Sequence, residues 1–208
     1  MKSYSQHNQD INVLKYFNNK RDGFFLDIGA HDGQTLSNTY LLEKEFGWKG
    51  ICFEPMPHQF ARLDECRTSL NINAAVFNKE GIENFTLVDY DGYPDMLSGI
   101  SSEISFRHMG NLISEGSRMK APLRTIKVKT VILNDILEDQ GISEIDFVSL
   151  DTEGAELSIV QSMDHHKFHF KLFAIENGNS DPEIRNYMTS QGYKMLGRWA
   201  IDDVFIKH

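Results

Sequence analysis

Apolar residues collect along this chain in short runs closed by a glycine or a carboxylate, and most runs lead into a stretch with helical spacing. The runs Phe24 to Ile28, Gly50 to Glu54, Ile72 to Phe77, Ile145 to Leu150 and Leu172 to Ile175 read as strands covered on both faces, since a half-exposed strand would alternate apolar with polar. Between them, Ser37 to Phe46, His58 to Ser69, Leu133 to Gln140, Ala155 to Ser162 and Pro182 to Gln191 predict helices, the last with Gly192 as its stop signal. Residues 1–22 form an amphipathic helical segment carrying Ile11, Val13, Leu14, Tyr16 and Phe17. Lys127 to Val131 is a further strand, and Tyr193 to Trp199 with Val204 to Lys207 predict a hairpin around Ala200-Ile201-Asp202-Asp203. Such alternation implies parallel strands joined by crossover helices, so the expected architecture is a doubly wound, mostly parallel sheet closed by one antiparallel C-terminal strand.

One stretch breaks this order. Asn84 to Tyr90 predicts an extra strand, and residues 91–122 are rich in glycine, serine and methionine without a clear period. A long irregular segment in a compact domain is usually a lid or binding loop, and that is the expectation for it. Met96, Met109 and Met119 within it line an adaptable pocket or fill gaps.

Composition narrows the class. With 208 residues, 40% hydrophobic and 25% charged, the chain suffices for one domain with a full core. Two cysteines, Cys52 and Cys66, suggest incidental thiols in a reducing compartment rather than a disulfide or zinc framework. The polar start and the lack of an apolar run able to span a bilayer predict a cytoplasmic protein without membrane insertion. A net charge of −9 argues against a nucleic-acid backbone as the main partner.

The chemistry concentrates at strand ends. Phe24 to Ile28 runs into Gly29-Ala30-His31-Asp32-Gly33, a turn at which backbone can approach a nucleotide without a Cβ in the way. The dinucleotide fingerprint G-x-G-x-x-G is incomplete because His31 stands where its second glycine belongs, and no Gly-Lys-Ser/Thr follows to make a phosphate loop. Asp27 at the strand exit, with Asp32 in the turn, disfavours a pyrophosphate and suits a ligand bearing an ammonium and a sulfonium. Glu54 closes the next strand 27 residues after Asp27, about one strand–helix–strand step, where it can accept both hydroxyls of an adenosine ribose. Asp151 and Glu176 each follow a later strand, with Glu153, Asn177 and Asp203 close behind. If those strands are neighbours at ~4.8 Å, Asp151, Glu176 and Asn177 form an all-oxygen set suited to Mg²⁺ or another hard divalent cation. The bland alternatives are a tight turn at the glycines, a solvated strand end at Glu54, and helix-capping roles for Asp151 and Glu176.

Other residues invite over-reading. Asp164-His165-His166-Lys167-Phe168-His169 resembles a metal cluster but lies in a predicted surface loop without i, i+4 geometry. Trp48 and Trp199 read as packing groups, and Gln6 and Gln9 as solvated polar residues near the chain start, with contact to a ligand as their alternative.

Asp-Ile-Gly-Ala-His-Asp-Gly at residues 27–33 with Ser37-Asn38-Thr39, Phe53-Glu54-Pro55, and Ile145 to Leu157 with its Asp-Thr-Glu-Gly-Ala-Glu core resemble the FkbM family of S-adenosylmethionine-dependent methyltransferases. Tyr4-Ser5-Gln6 with Gln9-Asp10 and Gly192-Tyr193 with Asp203-Val204-Phe205 are similar to that family's two ends, so the resemblance covers nearly the whole chain. It implies a Rossmann-like class I methyltransferase fold with a seven-stranded sheet. It also implies transfer of a methyl group to hydroxyl oxygens, notably on sugars and natural products.

On that reading, Asp27, Gly29, Ala30, His31, Gly33 and Asn38 lie around the methionine part of the donor, Glu54 and Pro55 at its ribose, Asn78 beside adenine, and Asp151 near its ammonium. The acceptor is a carbohydrate hydroxyl, such as that of a deoxyhexose in a glycan or glycolipid, or else a non-sugar natural product. Two routes remove the hydroxyl proton: a divalent cation on Asp151, Glu176 and Asn177, or a side-chain base among His31, His108, Asp151 and Glu153. Asp151, Glu153, Glu176 and His108 are the catalytic candidates. An NAD(P)-dependent oxidoreductase and a non-catalytic nucleotide-binding scaffold are the competing classes; fusion to, or association with, other sugar-processing domains stays open.

Overall fold

A computed structural model of the chain describes residues 1–90 and 96–207. In chain order its elements are α1 (Gln9–Tyr16), β1 (Phe24–Ile28), α2 (Tyr40–Phe46), β2 (Lys49–Phe53), α3 (Pro57–Cys66), β3 (Leu70–Ile72), β4 (Ala75–Val76), β5 (Gly81–Val88) and β6 (Gly99–Ile100). There follow α4 (Phe106–Met119), β7 (Leu123–Val131), α5 (Leu133–Asp139), β8 (Glu144–Leu150), α6 (Glu156–Ser162), β9 (His169–Glu176), α7 (Pro182–Ser190), β10 (Lys194–Trp199) and β11 (Asp202–Ile206).

The main sheet has seven strands in the order β10-β11-β9-β8-β1-β2-β3, with β11 antiparallel to both of its neighbours and the other pairings parallel. This is the doubly wound, Rossmann-like, mostly parallel α/β architecture expected from the sequence. The apolar runs explain it: alternate residues of each central strand feed two cores. Leu26, Ile28, Val148 and Phe173 join one, while Phe25, Cys52, Phe147 and Leu172 join the other against Val13 and Leu14 of α1, Leu41 and Leu42 of α2 and Leu63 of α3. Trp48, 2% exposed, donates its Nε1–H to the Lys20 carbonyl at 2.8 Å and packs in that second core. No helix among the described residues is long and apolar enough to cross a membrane.

Three expectations are corrected. The strand expected over Ile72 to Phe77 divides into β3 and β4, because Asn73 turns the chain. Its Nδ2 donates to the Glu54 and Pro55 carbonyls at 2.8 and 3.2 Å. β4 then enters a second sheet, β4-β7-β5-β6, so the strand around Lys127 to Val131 stands outside the main sheet. The stretch expected to be irregular contains the 14-residue helix α4, started by Ser105, whose Oγ accepts from the His108 N–H at 3.1 Å. The first part of that stretch, residues 91–95, lies outside the described residues. Finally, His165 is no surface group. It is 4% exposed, within hydrogen-bond reach of the Tyr193 hydroxyl (3.1 Å) and the Val160 carbonyl (2.8 Å), among Phe170, Phe173 and Tyr187.

Candidate active site

The carboxyl ends of β2, β1, β8 and β9, with the amino end of the antiparallel β11, open onto one cavity of about 320 Å³, within the range of small-molecule sites. Its floor is made where β1 stops. The N–H groups of Gly29 and Ala30 both donate to the Phe53 carbonyl, at 3.1 and 3.0 Å, and the Asp151 N–H donates to the Ile28 carbonyl at 3.0 Å. Gly29 has φ +91°, and a Cβ there would lie 1.8 Å from the Asp151 carbonyl oxygen, so backbone alone fits between the ends of β1 and β8.

Glu54 is 6% exposed, and its carboxylate accepts from the His31 N–H at 2.9 Å and the Met56 N–H at 2.8 Å. Beyond it, Phe53, Met56, Ala74, Ala75, Val76 and Phe85 make an apolar slot, and Pro55 also lines the cavity. Asn78 is exposed and outside that lining, because the turn at Asn73 carries the chain through β4 first. Small apolar side chains stand where an asparagine was expected.

On the other side of Gly29, Asp27 is 4% exposed and accepts from the Thr39 hydroxyl at 2.5 Å. Burial raises its pKa, against the opposing pull of the Arg67 guanidinium 3.9 Å away. Asn38 lines the cavity and donates to the Ser149 hydroxyl at 3.0 Å. Its Oδ1 is buried without a hydrogen-bond partner among the described residues. Asp32 points elsewhere: it closes its own turn by accepting from the amides of Gln34 and Thr35 and from the Thr35 hydroxyl. Those bonds outweigh its burial and lower its pKa. Gly33, φ +79°, packs against Arg67, Cys66 and Leu63 rather than facing the cavity.

Arg67 went unread in the sequence. Its guanidinium is wholly buried, donating to Glu43 Oε2 at 2.7 Å, the Gly33 carbonyl at 3.0 Å and Thr39 Oγ1 at 2.9 Å, and it lies over the Phe25 ring at 5.2 Å. It therefore ties α2, α3 and the turn after β1 together. Glu43 loses solvent there, but the Arg67 charge outweighs that loss and holds its carboxyl down to about 2.

The far end of the cavity is acidic. Asp151, Glu153 and Glu176 each offer an oxygen within 4.8 Å of the others'. Asp151 stays open to the cavity, yet loss of bulk water around it and the charge of Glu176 push its pKa well above the usual carboxylate range. Glu176 is pushed up to about 8 by burial and by the charges of Glu153 and Glu156. Glu156, buried, explains the last residue of the Asp-Thr-Glu-Gly-Ala-Glu run. It accepts from the N–H and hydroxyl of Thr152 at 2.8 and 2.9 Å and from the Gly154 N–H, and so fixes the turn that carries Glu153.

Asn177 does not join the acidic group. Its amide donates to the Asp181 carbonyl and to Asp203 Oδ2, and its Oδ1 accepts from the Asp181 N–H at 2.6 Å, so its polar atoms are spent on a turn. Glu153 takes the place expected for it. Asp203, bound by Arg185 and Arg198, is likewise outside the cavity lining. His108 stands behind Glu153: its Nδ1 is 3.4 Å from Glu153 Oε2 and its Nε2 is 2.7 Å from the Leu97 carbonyl oxygen, and it does not line the cavity. His31, Met96, Gln6 and Gln9 do line it, the two glutamines against expectation.

Glu176 also sets a pH dependence. Its folded pKa of about 8 lies above the ordinary 4.5, so the folded chain keeps a proton that the unfolded chain has released. Its contribution to stability is complete below pH ~4.5 and is lost as pH rises through about 8. Thermal unfolding followed from pH 5 to 9 should show a falling melting temperature, and Glu176→Gln, which cannot ionise, should flatten the fall; an unchanged slope in the variant would remove Glu176 as its source.

The methyltransferase FkbM domain model matches residues 27–195. The protein named 2-O-methyltransferase NoeI from Sinorhizobium fredii (strain NBRC 101917 / NGR234) is 30% identical over 166 residues, which cover 76% of this chain and 63% of that relative. The solved structure named delta-N METTL16 MTase domain is similar at 13% identity and a TM-score of 0.42, covering 95% of this chain and 80% of that one. The family match takes in the glycine turn, Glu54 and the acidic ends of β8 and β9 alike, and this chain belongs to the methyltransferase FkbM domain family.

Proposed function

We propose that the protein transfers a methyl group from S-adenosylmethionine to a hydroxyl of a carbohydrate. The observation that carries this reading is one cavity with an apolar slot and Glu54 at one end, three clustered carboxylates at the other, and the Gly29 backbone between them. The relative named as a 2-O-methyltransferase supports an oxygen acceptor.

The residues present fit the donor. Gly29 leaves room that a Cβ would fill, and the orphaned Asn38 Oδ1 suits an ammonium. Glu54, fixed by two backbone amides, is a carboxylate suited to vicinal ribose hydroxyls, and the slot of Phe53, Met56 and Ala74 to Val76 suits a flat ring. When bound, the donor supplies a methyl group made electrophilic by its sulfonium. The chain's task is then to align the acceptor hydroxyl and take its proton. Asp151, Glu153 and Glu176 lie together at that end of the cavity, and Glu176, its pKa raised to about 8, is in its ionised form a stronger base than an ordinary carboxylate, a form that gains population as pH approaches 8. His108 holds Glu153 rather than touching substrate.

A second reading has a specific observation behind it. The same three oxygens suit a hard divalent cation, which would bind the acceptor hydroxyl and favour its ionisation. Methyl transfer at full rate in excess EDTA assigns the proton to the carboxylates alone; a loss restored by Mg²⁺ assigns it to the cation.

Calorimetric titration with S-adenosylhomocysteine, with NADH as control, tests the donor. Micromolar binding of the first alone is expected, and binding of NADH alone would replace the proposal with an oxidoreductase. Glu54→Ala should weaken S-adenosylhomocysteine binding by several-fold to about 10²-fold, since a hydrogen bond to a charged group contributes ~1.5–3 kcal/mol. Unchanged affinity would take Glu54 out of the donor site.

A further inference from the structure

We infer that the N-terminal segment, residues 3–10, and Asp202 form the acceptor wall of the cavity, with Gln6 and Asp202 reading the acceptor's hydroxyls and Gln9 positioning them. This rests on the methyl-transfer reading above and names the residues that select its acceptor.

Strand order divides the cavity. From β2 to β11 there are four strand-to-strand steps, through β1, β8 and β9, or roughly 19 Å at ~4.8 Å each. A donor with its ribose at Glu54 and its ammonium beside Asn38 occupies the ends of β2, β1 and β8. The ends of β9 and β11 remain, and there Glu176 and Asp202 are paired in register.

The N-terminal segment is built onto that remaining end. Asp10, fully buried, accepts from Ser3 Oγ at 2.6 Å, the Tyr4 N–H at 2.8 Å, Ser5 Oγ at 2.9 Å and the Ile11 N–H at 2.7 Å, which folds residues 3–5 back on the start of α1. Ser5 then bridges to Leu36 in the loop after the glycine turn. Gln9, 3% exposed, accepts from the His7 N–H at 2.8 Å and donates to Asp202 Oδ2 at 2.9 Å, tying the first residue of α1 to the first residue of β11. Both ends of its amide are thereby engaged, so Gln9 is a positioning residue. Gln6, exposed, and Asp202, buried, both line the cavity.

The chemistry of this pair matches neighbouring hydroxyls. A primary amide both donates and accepts, as a hydroxyl does, and a carboxylate accepts from a second hydroxyl. An acceptor that brings such hydroxyls gains hydrogen bonds to Gln6 and Asp202 that one lacking them forgoes.

The test uses the full chain saturated with S-adenosylhomocysteine and titrates methyl glycosides of hexoses and 6-deoxyhexoses by saturation-transfer NMR, for wild type, Gln6→Ala and Gln9→Ala. Both variants should keep S-adenosylhomocysteine affinity within about twofold by calorimetry and lose about tenfold or more in glycoside affinity. Unchanged glycoside affinity in both variants overturns the inference. A tenfold loss of S-adenosylhomocysteine affinity in Gln6→Ala also overturns it, by placing Gln6 on the donor. If the loaded wild type binds no methyl glycoside, the wall does not read sugar hydroxyls, while the donor reading stands. Failure of the wild type to bind S-adenosylhomocysteine instead removes the reading on which the inference rests.

Discussion

Gly29→Ala should weaken S-adenosylhomocysteine binding by more than about 10²-fold and reduce methyl transfer accordingly. Two independent costs meet at this residue. Its φ of +91° is one that an L side chain rarely adopts, with ~1–2 kcal/mol at stake in the left-handed region generally. The larger cost is steric: the new Cβ would stand 1.8 Å from the Asp151 carbonyl oxygen, a backbone atom that cannot swing aside. Relief requires the ends of β1 and β8 to part, which breaks the Asp151 N–H to Ile28 carbonyl bond and displaces both the floor of the cavity and Asp151 itself. Gly110→Ala is the matched control. Gly110 lies inside α4 with nothing within 4 Å of its virtual Cβ, so alanine there should stabilise the chain by about 0.5–1 kcal/mol. Calorimetry for binding and thermal unfolding for stability check both variants; wild-type affinity in Gly29→Ala would show that the turn does not cradle the donor.

Arg67→Met should cost about 3–5 kcal/mol of stability, the usual result of removing one member of a buried ion pair. For a chain of this size that is a fall of roughly 6–20 °C in melting temperature. The guanidinium is wholly buried, and without it Glu43 and Asp27 lose their counter-charge in a place with little water, and Thr39 and the Gly33 carbonyl lose their donor. The double variant Glu43→Gln with Arg67→Met removes the stranded carboxylate and should recover part of the loss, measured as a coupling energy by denaturant unfolding. Additive losses would show that Arg67 acts mainly by packing on Phe25 and Tyr40. Because Arg67 holds the turn that carries Asn38 and Thr39, donor binding should weaken even at temperatures where the variant remains folded.

The central strands were legible because their information is local. Five residues buried on both faces must be nearly all apolar, and Phe24 to Ile28 can hardly be read otherwise. The glycine turn was legible for the same reason: Gly29 is required by its own φ and by the strand end beside it. Glu54 and Asp151 followed from their places at the ends of parallel strands, which face one side of the sheet. In α4 the local signal points the wrong way. Two glycines and two serines in 14 residues give poor helix propensity, and the helix is held by Leu112 and Gly116 packing inward and by its Ser105 cap.

What the linear order determined about this protein, then, is the set of buried strands, the turn that leaves backbone bare for a ligand, and the carboxylates that end up on one side. Only the tertiary structure decided which polar groups face that ligand. Asn177 and Glu153 each follow a strand within three residues, yet one is consumed by the turn at Asp181 and the other is presented by a turn that Glu156 holds. Arg67 at a helix end reads as a solvated charge until α2, α3 and the glycine turn close around it, and Gln9 meets Asp202 only when the first helix docks beside the last strand. A polar side chain's role is set by which partners remain available once the backbone has satisfied its own hydrogen bonds, and those partners come from distant parts of the chain.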